Sequence, residues 1–424
     1  MQDVRSSYTD SVNFFAGLSP RALAAQYGTP LYVYSEAILR KCCRELVGLT
    51  DVPGFTVNYS VKANTNPALL AIVREEGLTV DAMSPGELQM DRLAGFEKER
   101  IYYISNNNDA EEMANAAANA ALVSVDSLSQ LDQFGRVCPG GKVMIRFNPG
   151  IGAGHSAKVV TGGKKTKFGV CPEHLDQAFA ILDRHNLTLA GVNQHIGSLF
   201  MESKGYLDAV DFLLKFVATF PAERRAKIEA LDFGGGFGIP YRKYEGEARL
   251  DLDALGSGLG ERFAAFKAQT GYAGRFLVEP GRYVAAECGL VLGRVQAVKE
   301  NYGRRYAGTD LGFNVLVRPV MYDSFHDIEI YGEDPAPRPE IVQTITGNIC
   351  ESGDMLAHDR LLPEMREGDV IAALDAGAYG FVMSSSYNQR LRPAEILITR
   401  AGEARVIRRR ETFADLTATL MPLA

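Results

Sequence analysis

Eight short runs rich in β-branched and aromatic residues recur between residues 56 and 279, and a stretch of helical periodicity separates each from the next. The runs are Thr56 to Ser60, Thr79 to Ala82, Ile101 to Ile104, Leu122 to Val125, Val143 to Phe147, Ala190 to His195, Ala230 to Phe233 and Phe276 to Glu279. Strand and helix in eightfold alternation closes a parallel sheet into a (β/α)8 TIM-type barrel. Helix-start signals fall where this pattern needs them: Ser84-Pro-Gly-Glu87 offers a cap, a proline at the first helical position and an acid in the first turn, and Asn108-Asp-Ala-Glu-Glu112 reads the same way. Between Asn148 and Asn186 the spacing lengthens, and Gly150 to Lys165 reads as an excursion from the strand-end face, where long barrel loops touch ligand.

After Gly281 the period changes. Leu290 to Val298, Ile341 to Thr346, Val370 to Leu374, Glu395 to Thr399 and Ala404 to Arg408 read as strands, and the earlier run Gly28 to Tyr34 suits the same sheet. The expected organisation is therefore a barrel over residues 35–285 and a β-rich domain, of sandwich or barrel-like form, over 1–34 and 286–424. With 424 residues the chain is long enough for both.

A net charge of −7 gives no general attraction for nucleic acid or an anionic membrane. The sequence has neither a signal-like start nor a run of ~18 apolar residues, so a cytoplasmic enzyme is expected. The six cysteines suit neither a disulfide framework nor a zinc site, and no metal is expected.

In a barrel, chemistry gathers just beyond the strand ends. Lys62 follows the first strand among Tyr59, Ser60 and Asn64, where desolvation favours a nucleophilic amine able to form a Schiff base. His195 ends strand six, with Ser198 close behind. Gly234, Gly235 and Gly236 follow strand seven, and Glu279-Pro-Gly281-Arg282 follows strand eight. Barrel phosphates bind between those last two loops, where glycine N–H groups and an arginine attract anions. The run is not a dinucleotide fingerprint, because Ile239 stands where its third glycine belongs. A carboxylate such as Glu279 keeps a pyridine nitrogen protonated, and His195 can lie flat on the ring. Lysine, histidine, glycines and acid at one mouth point to pyridoxal 5'-phosphate as cofactor, with Lys62 as its Schiff-base partner.

The chain resembles the fold-type III pyridoxal phosphate-dependent decarboxylases over nearly its whole length. The resemblance rests on Tyr59-Ser-Val-Lys-Ala-Asn64, His195-Ile-Gly-Ser198, Gly234 to Tyr241, Glu279-Pro-Gly-Arg282, Arg318-Pro-Val-Met-Tyr322, Cys350-Glu-Ser-Gly-Asp354 and Gly377 to Met383. It implies that Asp81 and Arg146 line the cofactor and that Tyr379 contacts it. It also implies that Cys350 and Glu351 reach into a partner subunit's site, in a homodimer with shared active sites. Cys350 is then the residue that returns a proton to the decarboxylated carbon.

At the far end of the substrate, Arg318 with Arg282 offers planar forks for a second carboxylate, Tyr322 stands beside them, and Glu351 offers an acceptor for a second ammonium. A small-molecule diamino diacid fits both, so the expected reaction takes meso-2,6-diaminopimelate to L-lysine and carbon dioxide. Decarboxylation of a related substrate (carboxynorspermidine, D-ornithine or D-lysine, or a carrier-bound glutamyl group) and amino-acid racemisation on the same barrel are the alternatives.

Overall fold

The computed structural model describes residues 4–150, 152–154, 162–163, 165–334 and 336–421. They form two compact units. One takes residues 40–239 and 249–284, the other 1–39, 240–248 and 285–424.

The first unit is a closed barrel of eight parallel strands: Phe55–Ser60, Thr79–Ala82, Ile101–Ile104, Leu122–Val125, Lys142–Arg146, Thr188–Asn193, Ala230–Asp232 and Arg275–Val278. Consecutive strands pair in parallel, and Phe276 to Val278 closes the ring on Phe55 to Val57. The eight match the runs in the sequence to within a residue or two at each end, the usual uncertainty of strand boundaries. Tyr102, Ile104, Leu122, Met144, Ala190, Ala230 and Leu277 pack together as a buried cluster of strand side chains. Each large side chain so buried contributes about 1.5–3 kcal/mol to stability.

The cap signals act as expected. Ser84 Oγ accepts from Glu87 N at 3.2 Å and Asp109 Oδ1 from Glu112 N at 2.9 Å, opening the helices Pro85–Leu93 and Ala110–Asn119. Of the excursion expected over Gly150 to Lys165, residues 151, 155–161 and 164 lie outside the described residues. Its described part returns to the strand-six loop, where Ala153–Gly154 pairs with Gly197–Ser198, and Asn148 fastens it by accepting from Gly163 N at 3.0 Å.

One helix of the barrel carries an unexpected cost. Asp91, on Pro85–Leu93, is fully buried, and neither carboxylate oxygen meets a hydrogen-bond partner among the described residues. Burial, with Glu87 one turn away and Asp81, pushes its carboxyl up to about 8. Because an unfolded aspartate titrates near ~4, the folded chain keeps a proton the unfolded chain has lost, and stability falls as pH rises from about 4 to about 8. Asp91→Asn is therefore expected to raise the melting temperature at pH 8 by several degrees, from a gain of order a few kcal/mol, and to raise it less at pH 5. A variant that melts below the parent at pH 8 contradicts this.

In the second unit the described residues form one nine-stranded mixed sheet. Leu31–Ser35 lies inside it, antiparallel to Gly289–Asn301 and parallel to Ala394–Ile398, so the N-terminal strand expected to join the C-terminal sheet does so. Leu31, Val33, Leu290, Leu292, Ala372, Ile396 and Ile398 pack with Phe14, Phe15 and Leu23 in the core. Strands Arg304–Thr309, Ile328–Tyr331 and Met355–Pro363 complete the sheet and were not read from the sequence.

Residues 240–248 interrupt the stretch read as barrel and belong to this unit. The reason is charge: Lys243 Nζ lies 2.8 Å from Asp375 and 3.2 Å from Glu287, both buried, and two interior carboxylates need a cation. Among the described residues, no helix is long and apolar enough to cross a membrane.

Candidate active site

Lys62 sits in the single turn Val61–Ala63, directly after the strand Phe55–Ser60. Neighbouring polar groups set that turn. Asp81, at the end of the next strand, accepts from Ser60 Oγ at 3.0 Å and from Val61 N at 3.1 Å. Tyr59 donates to Asn64 O at 3.2 Å, and Asn66 accepts from Ala68 N to open the helix Pro67–Glu75. The lysine is half-buried, and its charge is felt by Asp81, Glu279 and His195, which places these four groups together at the barrel mouth.

The glycine run is more than a turn. A Cβ on Gly235 would stand 1.7 Å from Glu279 O, one on Gly236 2.5 Å from Gly197 O and one on Gly234 2.6 Å from Gln194 O. Only glycine lets the loops after strands six, seven and eight approach so closely. Two of the three N–H groups are used inside the protein: Gly234 N donates to Asp232 Oδ1 at 2.9 Å and Gly235 N to His195 Nδ1 at 3.0 Å. Opposite them, Arg282 Nη2 donates to Ser198 Oγ at 2.9 Å, so a guanidinium and a hydroxyl come together beside Gly197 and Gly236. Gly281 lies buried between Glu279 and Arg282.

His195 accepts that N–H through Nδ1, so its proton is on Nε2. Burial first, then the Lys62 and Arg146 charges, hold the imidazole well below its usual range, and the ring is neutral. Its 3.8 Å approach to Glu279 Oε2 is therefore not an ion pair.

Glu279 is 3% exposed, and its Oε1 has no hydrogen-bond partner among the described residues. Burial, then Asp232 and Asp81, push this carboxyl well above the usual range. Asp232 is itself raised to about 7 by burial. Three buried acids thus share a small volume with Lys62 and with Arg146, whose guanidinium lies over the Phe168 ring at 4.6 Å and whose Nη2 has no hydrogen-bond partner among the described residues. A protonated pyridine nitrogen at Glu279 Oε1 would supply the missing positive charge, and a flat neutral imidazole suits a ring face. The donor set fits pyridoxal phosphate.

The remaining residues belong to the second unit. Arg318 opens the short helix Arg318–Tyr322 and is 2% exposed, whereas Tyr322 is half-buried. Cys350 and Glu351 stand exposed on a turn that Asp354 fastens by accepting from Ile349 N and Phe313 N, both at 2.7 Å. Asn388, which sequence reasoning passed over, accepts from Cys350 N at 3.0 Å and donates to its Sγ at 3.2 Å, while Tyr387 donates to Glu351 at 2.8 Å. Tyr379 ends the turn that begins at Asp375, and both adopt left-handed backbone (φ 57° and 56°), a strained state for residues other than glycine.

Comparison with known proteins agrees with this chemistry. Residues 39–286 match the family described as pyridoxal-dependent decarboxylase, pyridoxal binding domain. A diaminopimelate decarboxylase of Methanothermobacter thermautotrophicus is 41% identical over 93% of this chain and 92% of its own, and that of Escherichia coli K12 is 33% identical over 93% and 94%. Among solved structures, the M. jannaschii diaminopimelate decarboxylase in complex with L-lysine superposes with a TM-score of 0.84 at 30% identity, covering 96% of this chain and 95% of its own. The chain belongs to the pyridoxal-dependent decarboxylases and, within that family, to the diaminopimelate decarboxylases.

Proposed function

We propose that the barrel mouth binds pyridoxal 5'-phosphate through Lys62 and that the enzyme decarboxylates meso-2,6-diaminopimelate to L-lysine and carbon dioxide. The observation that carries this reading is the convergence of Lys62, His195 and the buried, under-hydrogen-bonded Glu279 around a glycine-lined cradle. The full-length similarity to enzymes of that name supports the substrate.

Bound pyridoxal phosphate supplies an electron sink for the pair left on the carbon when carbon dioxide departs. The chain does the rest. Ser198, Arg282 and Gly236 would hold the phosphate, while the N–H groups of Gly234 and Gly235 donate to Asp232 and His195 and stiffen the loop. Glu279 would hold a ring-nitrogen proton, and neutral His195 would cover a ring face. Asp81 fixes the turn that presents Lys62, Arg146 adds positive charge, and Tyr379 touches the cofactor. Lys62 would hold the cofactor aldehyde and, once the substrate amine is bound, would stand as a positioned proton carrier beside it.

Cys350 returns the proton to the decarboxylated carbon, delivered with Glu351 from the partner subunit of a homodimer. This assigns a use to the exposed turn on which both stand: a thiol and a carboxylate fastened at the surface by Asn388 and Tyr387 are presented outward. Arg318, with Tyr322, takes the distal carboxylate, and Glu351 the distal ammonium.

Loss of a charged pair at the distal carboxylate is worth about 2–5 kcal/mol, so Arg318→Ala is expected to raise KM for diaminopimelate by about thirtyfold to several thousandfold, leaving cofactor absorbance unchanged. An equal loss of both contradicts the role. To test the function itself, the protein is incubated with pyridoxal phosphate and a panel of diamino acids, and the amine formed is identified. L-Lysine with an equivalent of carbon dioxide is expected from diaminopimelate; a racemised diamino acid without carbon dioxide overturns the reading.

A further inference from the structure

Arg318 is held by a residue to which no role has been given. His326 is 1% exposed, and its Nδ1 lies 2.6 Å from the carbonyl oxygen of Leu374. A carbonyl oxygen only accepts, so Nδ1 carries the proton. Nε2 then presents its lone pair, and Arg318 Nη1 donates to it at 3.1 Å. A guanidinium cannot give up its proton, so this pairing admits only the neutral imidazole with hydrogen on Nδ1.

Ser324 Oγ accepts from Arg318 Nη2 at 3.3 Å. The Tyr241 ring meets both partners, with the guanidinium 4.9 Å over its face and the imidazole ring T-shaped to it at 5.6 Å. His326 and Ser324 are neutral acceptors, and contacts of that kind orient a guanidinium. The carbonyl that holds His326 belongs to Leu374, directly before the turn Asp375 to Tyr379. Imidazole, arginine and that turn thus form one hydrogen-bonded series inside the second unit.

We propose that His326 is a positioning residue: by accepting from Nη1 it aims the Arg318 guanidinium at the distal carboxylate of the substrate, and so helps to select diacids over monoacids. The proposal rests on the distal-carboxylate role of Arg318 given above.

The test is a double-mutant cycle on the holoenzyme with meso-2,6-diaminopimelate, using Arg318→Ala, His326→Phe and the pair. His326→Phe keeps a ring in place but removes both hydrogen bonds. It should raise KM by about tenfold to a hundredfold, the range expected for a hydrogen bond to a charged group, with kcat within about twofold and cofactor absorbance on titration unchanged. His326→Asn, which restores one amide, should recover part of the loss. In the Arg318→Ala background His326→Phe should add almost nothing, because the group it aims is gone.

Full additivity of the two effects, or a fall in kcat with KM unchanged, overturns the proposal. If Arg318→Ala raises KM and His326→Phe does not, the positioning role alone fails. If Arg318→Ala itself leaves KM unchanged, the distal-carboxylate reading fails and carries this inference with it. Should circular dichroism show that His326→Phe does not fold, Ser324→Ala takes its place in the same cycle. A KM rise of a few fold that vanishes in the Arg318→Ala background supports the aim of Arg318 by these acceptors, and an unchanged KM overturns it.

Discussion

Replacing Lys62 by alanine is expected to lower turnover of diaminopimelate by about a thousandfold or more, since the change removes both a covalent partner and a positioned proton carrier, and the latter alone contributes about 10²–10⁴-fold in comparable sites. The fold should persist. Lys62 is half-buried on a one-turn helix whose shape is set by backbone and side-chain bonds: Asp81 accepts from Ser60 Oγ and Val61 N, and Tyr59 donates to Asn64 O. Far-ultraviolet circular dichroism should therefore be unchanged, and the absorbance of bound cofactor should become that of an unlinked aldehyde. Lys62→Arg keeps the charge beside Asp81 and Glu279 and is expected to be as inactive as Lys62→Ala. An active arginine variant would reduce the lysine to an electrostatic neighbour.

Glu279→Gln should move activity and stability in opposite directions. A neutral amide cannot hold a proton on a pyridine nitrogen, and loss of that support is expected to cut kcat by about 10²-fold or more. Stability runs the other way. The Glu279 carboxyl is pushed well above its unfolded value by burial, Asp232 and Asp81, so the folded chain retains its proton and its stability is lost as pH rises through the folded value. Glutamine does not titrate, and the cofactor-free variant should melt above the parent, by more at pH 8 than at pH 5. A residue serving only the fold would lose both properties together. Melting curves at the two pH values, with kcat on the reloaded enzyme, check the pair of expectations, and a destabilised variant of normal kcat contradicts both.

The barrel was readable because its strands are buried on both faces, so that Tyr102 to Ile104 or Val143 to Ile145 form continuous apolar runs between polar, glycine-bearing turns. The site followed, since a barrel's strand ends are known once its strands are. Asp232 was passed over although it lies within the run Ala230 to Phe233, because what marks it is burial beside Glu279, a residue that follows the next strand. Strand Met355–Pro363 escaped because its burial does not alternate and its pairing with Glu340–Thr346 slips at Gln343 and again at Ile345.

The partners of Arg318 and Cys350 illustrate a different limit. Asn388 lies thirty-eight residues from Cys350, in a run of serines and exposed polar groups that reads as surface. Lys243 looks like one more loop cation until Asp375 and Glu287 are seen around it, and Asp91 looks like the polar face of a helix. For Asn388 and Lys243 the deciding partner comes from another element, and local periodicity is silent about it. The glycine run reads as a set of N–H groups that attract an anion, whereas the use of two of them by Asp232 and His195 depends on loop geometry that composition does not encode.

The central claim is a covalent bond between one lysine and an aldehyde cofactor. Holoenzyme is treated with sodium borohydride, which makes a Schiff base permanent, and then digested and mapped by mass spectrometry. A phosphopyridoxyl mass is predicted on the peptide that contains Lys62, in one copy per chain. The same mass on a different lysine, with the Lys62 peptide unmodified, would contradict the account.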